Sequence, residues 1–204
     1  MVKNISRAFV SIFVLILAGS SITFSQTPDK KAFPTVKIKN FGRMDDRFYR
    51  GAQPKQTDYQ ALKDLGIQTV IDLTDEPAPF AKETVSSLGM RYVNIPIVGK
   101  AYPSPEQVAA FMKTVDDPET GKFYVHCAGG RHRTGDMGAI YRFEKYGWNF
   151  DQVYKEMKDF DFYSSWGHEK QKDFVVDYAA MYEKKRAAAS AGSASAATGS
   201  VQHN

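Results

Sequence analysis

Short β-prone apolar runs alternate along this chain with stretches in which apolar residues recur every three or four positions. Phe48-Tyr49-Arg50 reads as a first strand. Thr57-Asp58-Tyr59-Gln60 has the form of a capping box, and Tyr59, Leu62 and Leu65 give one helical face that stops at Gly66. Residues 68–73 are a continuous apolar run suited to a buried parallel strand; residues 80–88 predict a short helix ended by Gly89, and residues 91–95 a third strand. Ser104-Pro105-Glu106-Gln107 opens a helix with proline at its first position and Val108, Phe111, Met112 and Val115 on its inner face. Lys122-Phe123-Tyr124-Val125 is again β-prone, and from Thr134 onward Met137, Ile140 and Tyr141 fall at helical spacing. Asn149 to Gln152 looks like a further cap, with Val153 and Met157 on the buried side. Residues 166–186 carry Phe174, Val175, Tyr178, Met181 and Tyr182 at helical spacing. Strands alternating with helices predict an α/β fold, a mainly parallel central sheet flanked by helices, as one domain over residues 37–186.

The flanks differ in kind. Lys3 and Arg7, the almost wholly apolar residues 8–18 and the small polar residues before Gln26 have the layout of a secretory signal over residues 1–25, with Thr23-Phe24-Ser25 as the cleavage site. The expectation is a periplasmic or secreted protein with no stable membrane association after cleavage. Residues 26–36 read as a linker. Residues 187–204, nearly all Ala, Ser and Gly, carry too little apolar surface to bury and are expected to be disordered. Removing residues 1–25 takes away Lys3 and Arg7 and no acid, so the formal charge falls from +4 to +2. With no basic stripe interleaved with aromatics, nucleic acid is not an expected partner.

The only cysteine, Cys127, has no disulfide partner within the chain and sits in His126-Cys127-Ala128-Gly129-Gly130-Arg131-His132-Arg133-Thr134-Gly135, between the last strand and a helix. Two glycines let successive N–H groups curl inward, and the helix adds the positive end of its dipole; such a cradle binds a tetrahedral oxyanion and favours thiolate over thiol. Cys127 is therefore the expected nucleophile. Residues 128–133 (Ala128, Gly129, Gly130, Arg131, His132, Arg133) are the expected phosphate-binding loop, and the planar fork of Arg133 can hold two phosphate oxygens. Thr134 can donate to the sulfur, and His126 can orient the loop through a ring N–H. Attack by sulfur needs no metal and no cofactor. Competing readings are a buried structural thiol, a binder of phosphorylated ligands that does no chemistry, and a persulfide-forming sulfur transferase.

His-Cys, five residues, then Arg-Thr-Gly resembles the signature loop of cysteine-dependent phosphatases of the tyrosine and dual-specificity class. The sequence is most similar to the atypical dual-specificity phosphatases of plants, fungi and bacteria. Phe48-Tyr49-Arg50-Gly51-Ala52-Gln53-Pro54, Leu65-Gly66-Ile67 with Val70-Ile71-Asp72-Leu73, and Ile95-Pro96-Ile97 extend the likeness over roughly residues 38–160. The resemblance implies hydrolysis of phosphate esters through a phosphocysteine, acting on a phosphorylated small molecule or a phosphoprotein. It also implies an aspartate general acid from an upstream loop, but residues 95–103 contain no carboxylate. Asp72, Asp75, Glu76 and Glu106 lie nearby in sequence, and His132 is a different candidate for the proton. Without that acid the favoured substrates should have good leaving groups, or several phosphates held by a rim of Arg131, His132 and Lys100. Related atypical enzymes act on inositol polyphosphates and pyrophosphates.

Overall fold

A computed structural model of the chain describes residues 33–199. Its centre is a five-stranded sheet of β1 (Gly42–Arg43), β2 (Phe48–Ala52), β3 (Thr69–Thr74), β4 (Arg91–Ile97) and β5 (Phe123–Cys127), in the order β1-β2-β5-β3-β4. Every neighbouring pair is parallel except the short β1–β2 hairpin. Alternate residues along each strand feed opposite faces, as a two-residue side-chain period requires. From β5, Phe123, Val125 and Cys127 join one core with Ile71 and Leu73, while Tyr124 joins the other with Val70. The first core is closed by α3 (Pro105–Asp116), α4 (Arg133–Tyr146), α5 (Phe150–Asp159) and α6 (Glu169–Gly199), and the second by α1 (Tyr59–Asp64) and α2 (Ala81–Ser87). The α/β architecture read from the sequence is the one observed.

Local signals hold unevenly. The Ser104 and Asn149 capping boxes form, each with side chain and backbone exchanged across three residues. The expected box at Thr57 does not. A 3-10 turn, Gln56–Asp58, precedes α1, and the Asp58 carboxylate accepts from the Lys55 amide at 2.8 Å, so the cap lies two residues earlier. The third strand runs through Pro96 to Ile97; β4 is an edge strand, where a missing N–H is tolerated. Helix α4 is buried without a break from Thr134 to Phe143, because sheet, α3, α5 and α6 surround it there; its last turn reaches solvent.

Helix α6 starts at Glu169, later than expected. Trp166 lies in the preceding loop at a φ of 61° and is 84% exposed, and Met181, expected on the inner face, is 53% exposed while Ala179 is buried. The helix continues to Gly199 through the segment expected to be disordered. Alanine has the highest helix propensity, and extension from an already packed helix avoids a new nucleation step. The side chains of residues 183–192 are exposed, so this extension adds nothing to the core.

At the other end the packed domain reaches back into the expected linker. Phe33 sets its ring edge-on to Phe41 at 5.3 Å and to Tyr49 at 5.8 Å. The expected signal over residues 1–25, most of the linker and residues 200–204 lie outside the described residues. Among the described residues no helix is long and apolar enough to cross a membrane.

Candidate active site

Strand β5 occupies the middle of the sheet, between β2 and β3, and Cys127 is its last residue, where an open parallel sheet places its sites. Residues 128–132 turn the chain, and Arg133 begins α4. The turn is tight at Gly130, whose φ of 67° is left-handed; a Cβ there would meet Gly51 C at 2.2 Å and Ala52 N at 2.5 Å. The loop thus lies directly on the end of β2. A hydrogen bond from the Gln53 amide to the Ala128 carbonyl, 3.3 Å, adds to that contact.

Cys127 is 3% exposed and lies at the base of a cavity of about 320 Å³ lined by the loop and by Gly99, Lys100, Tyr163, His168 and Gln171. Burial pushes its thiol up. The Thr134 hydroxyl and amide, the Arg133 charge and the Gly130 amide outweigh that, and the thiol is held below its ordinary value. The buried Thr134 hydroxyl has no oxygen or nitrogen partner, which leaves it to serve the sulfur. Arg133 is fixed across the cleft. Its Nη1 donates to Asp75 Oδ1 at 2.8 Å and to the Ile97 carbonyl at 2.7 Å, between the ends of β3 and β4. The sequence therefore brings nucleophile, guanidinium and Thr134 together as expected.

The two histidines behave differently from expectation. His126 is fully buried on the far face of the sheet, stacked on Tyr124, and neither ring nitrogen closes a full hydrogen bond; Nδ1 lies 3.8 Å from Asp72 Oδ1. Burial lowers its pKa to about 4 against the pull of Asp72 and of the Cys127 backbone, so it backs the loop as a neutral ring. His132 stacks on His168 at 3.6 Å with the planes 7° apart, and its Nε2 lies 3.0 Å from the Tyr163 carbonyl. Its pKa also falls to about 4, through burial first and then His168. A ring neutral near pH 7, with Nε2 at a carbonyl, counts against His132 as general acid in the substrate-free site.

The carboxylates fare no better in that role. Asp72 is buried and accepts from Thr74 and from the Tyr92 hydroxyl. Asp75 is held below the usual carboxylate range by a backbone hydrogen bond and by Arg133, and Glu106 by Ser104. Glu76 is exposed, and among the described residues no carboxylate is part of the cavity lining, although Asp75 stands at its edge, bonded to Arg133 and to the Gly99 backbone. All three residues of the expected rim, Lys100, Arg131 and His132, border the cavity, and Lys100 Nζ also donates to the Trp166 carbonyl at 2.7 Å.

Sequence reading missed His168, Gln171 and Asp136. Asp136 is fully buried on the first turn of α4, both oxygens without partners. Burial, then the Cys127 charge, raises its pKa well above the usual value, against Arg50 and Arg133. An unfolded carboxyl would release its proton near the ordinary value while the folded one keeps it, so stability falls as pH rises above that value, by at most about 1.4 kcal/mol per pH unit. Asp136→Asn removes this loss. Its melting temperature should gain on the parent progressively from pH 4 to pH 8, and a gap independent of pH would show Asp136 to be ionised in the fold.

With this geometry in view, comparison with known proteins is decisive. The family described as DSP-PTPase phosphatase fused to NAD+ Kinase matches residues 35–177. The chain belongs to this phosphatase family. Among relatives, a probable tyrosine-protein phosphatase of Dictyostelium discoideum is 26% identical over 127 residues, 59% of this chain and 75% of the relative. The inositol diphosphatase DSP3 of Arabidopsis thaliana is 27% identical over 117 residues, 54% of this chain and 57% of the relative. Two solved structures share the fold. The P. aeruginosa TpbA structure has a TM-score of 0.59 at 22% identity, covering 68% of this chain and 84% of that one. The catalytic core of the S. cerevisiae PP-IP phosphatase SIW14 has a TM-score of 0.60 at 22% identity, covering 76% and 94%. Membership of the family favours catalysis over a purely structural Cys127.

Proposed function

We propose that this phosphatase cleaves phosphoanhydrides and aryl phosphate esters through a phosphocysteine at Cys127. The observation that carries the reading is a cavity with the Cys127 thiol, held below its ordinary value, at its base and Arg133 beside it; among the described residues its lining holds no carboxylate. The Cys127 thiolate attacks phosphorus in line, and the bond from phosphorus to the leaving oxygen breaks with its electron pair going to that oxygen. Arg133 and the loop amides hold the equatorial oxygens. Water then attacks the phosphocysteine, releasing inorganic phosphate and restoring the thiolate. An aryl or phosphate leaving group departs with little help from a proton, whereas an alkoxide needs an acid that the cavity does not supply.

Lys100 and Arg131 at the mouth suit substrates with more than one phosphate, such as an inositol pyrophosphate, the substrate class named for the plant and yeast relatives. A phosphate-release panel tests the reading. Inositol diphosphates and aryl phosphates should turn over at least about 100-fold faster than simple alkyl monoesters, the size of effect usual for a missing general acid. Equal rates would contradict it. Release from any of the three excludes a binder that does no chemistry.

Export remains part of the proposal. Its support is the cationic, then apolar, then small-residue order of residues 1–25. The mass of protein recovered from an exporting host should correspond to a chain starting at Gln26, and a full-length mass would count against it.

A further inference from the structure

Beneath the loop lies a buried cation to which the reaction as written gives no part. Arg50, in the middle of β2 and opposite Val125 of β5, is 1% exposed. Its Nη2 donates to the Gly130 carbonyl at 3.0 Å, and its guanidinium lies over the Phe160 ring, 4.2 Å from the centroid. Asn40 reaches the same carbonyl: its Nδ2 donates to Gly130 O at 2.9 Å and to Phe160 O at 2.8 Å, from a left-handed backbone (φ 53°) that asparagine tolerates. Gly138 makes room for the guanidinium under α4, since a Cβ there would come within 3.3 Å of Arg50 Nη1.

In a trans peptide the carbonyl and the N–H that follows it point in opposite directions, so drawing the Gly130 carbonyl down turns the Arg131 N–H the other way. We propose that Arg50 and Asn40 are positioning residues of the phosphate loop: by drawing the Gly130 carbonyl downward together, they aim the loop amides at Cys127, and Arg50 adds positive charge behind them.

Burying a guanidinium is costly unless it is offset. Among the described residues no carboxylate forms an ion pair with Arg50. Glu156 of α5 is engaged by Arg142, and Asp136 of α4 is kept uncharged by its burial. The groups around the sulfur leave the same balance. His126 of β5 is neutral and Asp72 lies behind it, while Arg133 of α4 faces the sulfur from the cavity side with Asp75 as its partner. Arg50 feels the Cys127 charge through the loop, and the Gly130 amide, in the peptide just before the anchored one, is among the groups that hold the thiol down. Two carbonyl-directed donors with one full charge therefore favour the thiolate, and the loop conformation that a phosphoryl group needs is already set before substrate arrives.

The inference deepens the proposed mechanism and rests on Cys127 as its nucleophile. Because Cys127 is the only thiol, its alkylation by iodoacetamide as a function of pH reads this one group in the full chain, without substrate. Arg50→Met should raise the alkylation midpoint by about one pH unit and lower kcat about tenfold or more, with KM changed less. Arg50→Lys should recover most of the midpoint, and Asn40→Ala should raise it by a smaller amount. A role confined to packing would lower the melting temperature and leave every midpoint at the parental value, and that result overturns the inference. Should Arg50→Met not fold, Asn40→Ala decides alone: a raised midpoint supports the positioning role, and an unchanged one refutes it. Failure of the phosphocysteine mechanism is read separately, as turnover by a Cys127→Ser protein, which leaves the alkylation midpoints of the other variants intact.

Discussion

Cys127→Ser protein should release phosphate at least about 10³-fold more slowly than the parent while still binding inorganic phosphate. The hydroxyl is not ionised by the field that holds the thiol below its ordinary value, so the nucleophile is lost. Arg133 and the loop amides that receive the oxyanion stay in place. Phosphate binding measured by calorimetry separates the two effects. A variant that lost both would have lost its loop, and one that kept turnover would show the sulfur to be a bystander.

Gly130→Ala should be the most damaging single methyl in the site. Its Cβ would fall 2.2 Å from Gly51 C and 2.4 Å from Gly51 O, and both are backbone atoms of a paired central strand that cannot swing aside. The left-handed φ of 67° adds strain of its own. Together these should cost on the order of 3 kcal/mol, read as a lower denaturant midpoint, with turnover falling further because the loop must lift from β2. Gly129→Ala is the internal control for stability. The nearest atom to its Cβ would be an Arg131 side-chain nitrogen at 3.9 Å, so its denaturant midpoint should stay near the parental one.

The contrast between those glycines marks what could and could not be read from the chain. The strand before Cys127, the helix after it and the oxyanion loop between them are local features, set by a two-residue period, a helical period and a pair of glycines within the twenty residues 122–141. Which glycine is indispensable depends on β2 lying beneath the loop, a contact between residues 79 positions apart. Arg50 looked like one residue of an ordinary strand, and its fit under α4 depends on the small Gly138 above it, 88 positions away. Asp136 gave no signal in the sequence, because its burial follows from α4 being enclosed over residues 134–143 by elements distant in the chain. His168 precedes its helix by one residue and meets His132 only because the loop before α6 folds back over the cavity. Its one signal was rarity, as one of four histidines in the chain. The absence of an acid from residues 95–103 was legible in the sequence itself.

Acid quenching of the protein during turnover of an aryl phosphate, followed by mass analysis of the peptide that carries Cys127, examines the central claim directly. One phosphoryl group on that peptide, appearing at the rate of leaving-group release and decaying as inorganic phosphate forms, is the expected result. Steady turnover with that peptide never modified, under conditions that preserve thiophosphate esters, would contradict the account.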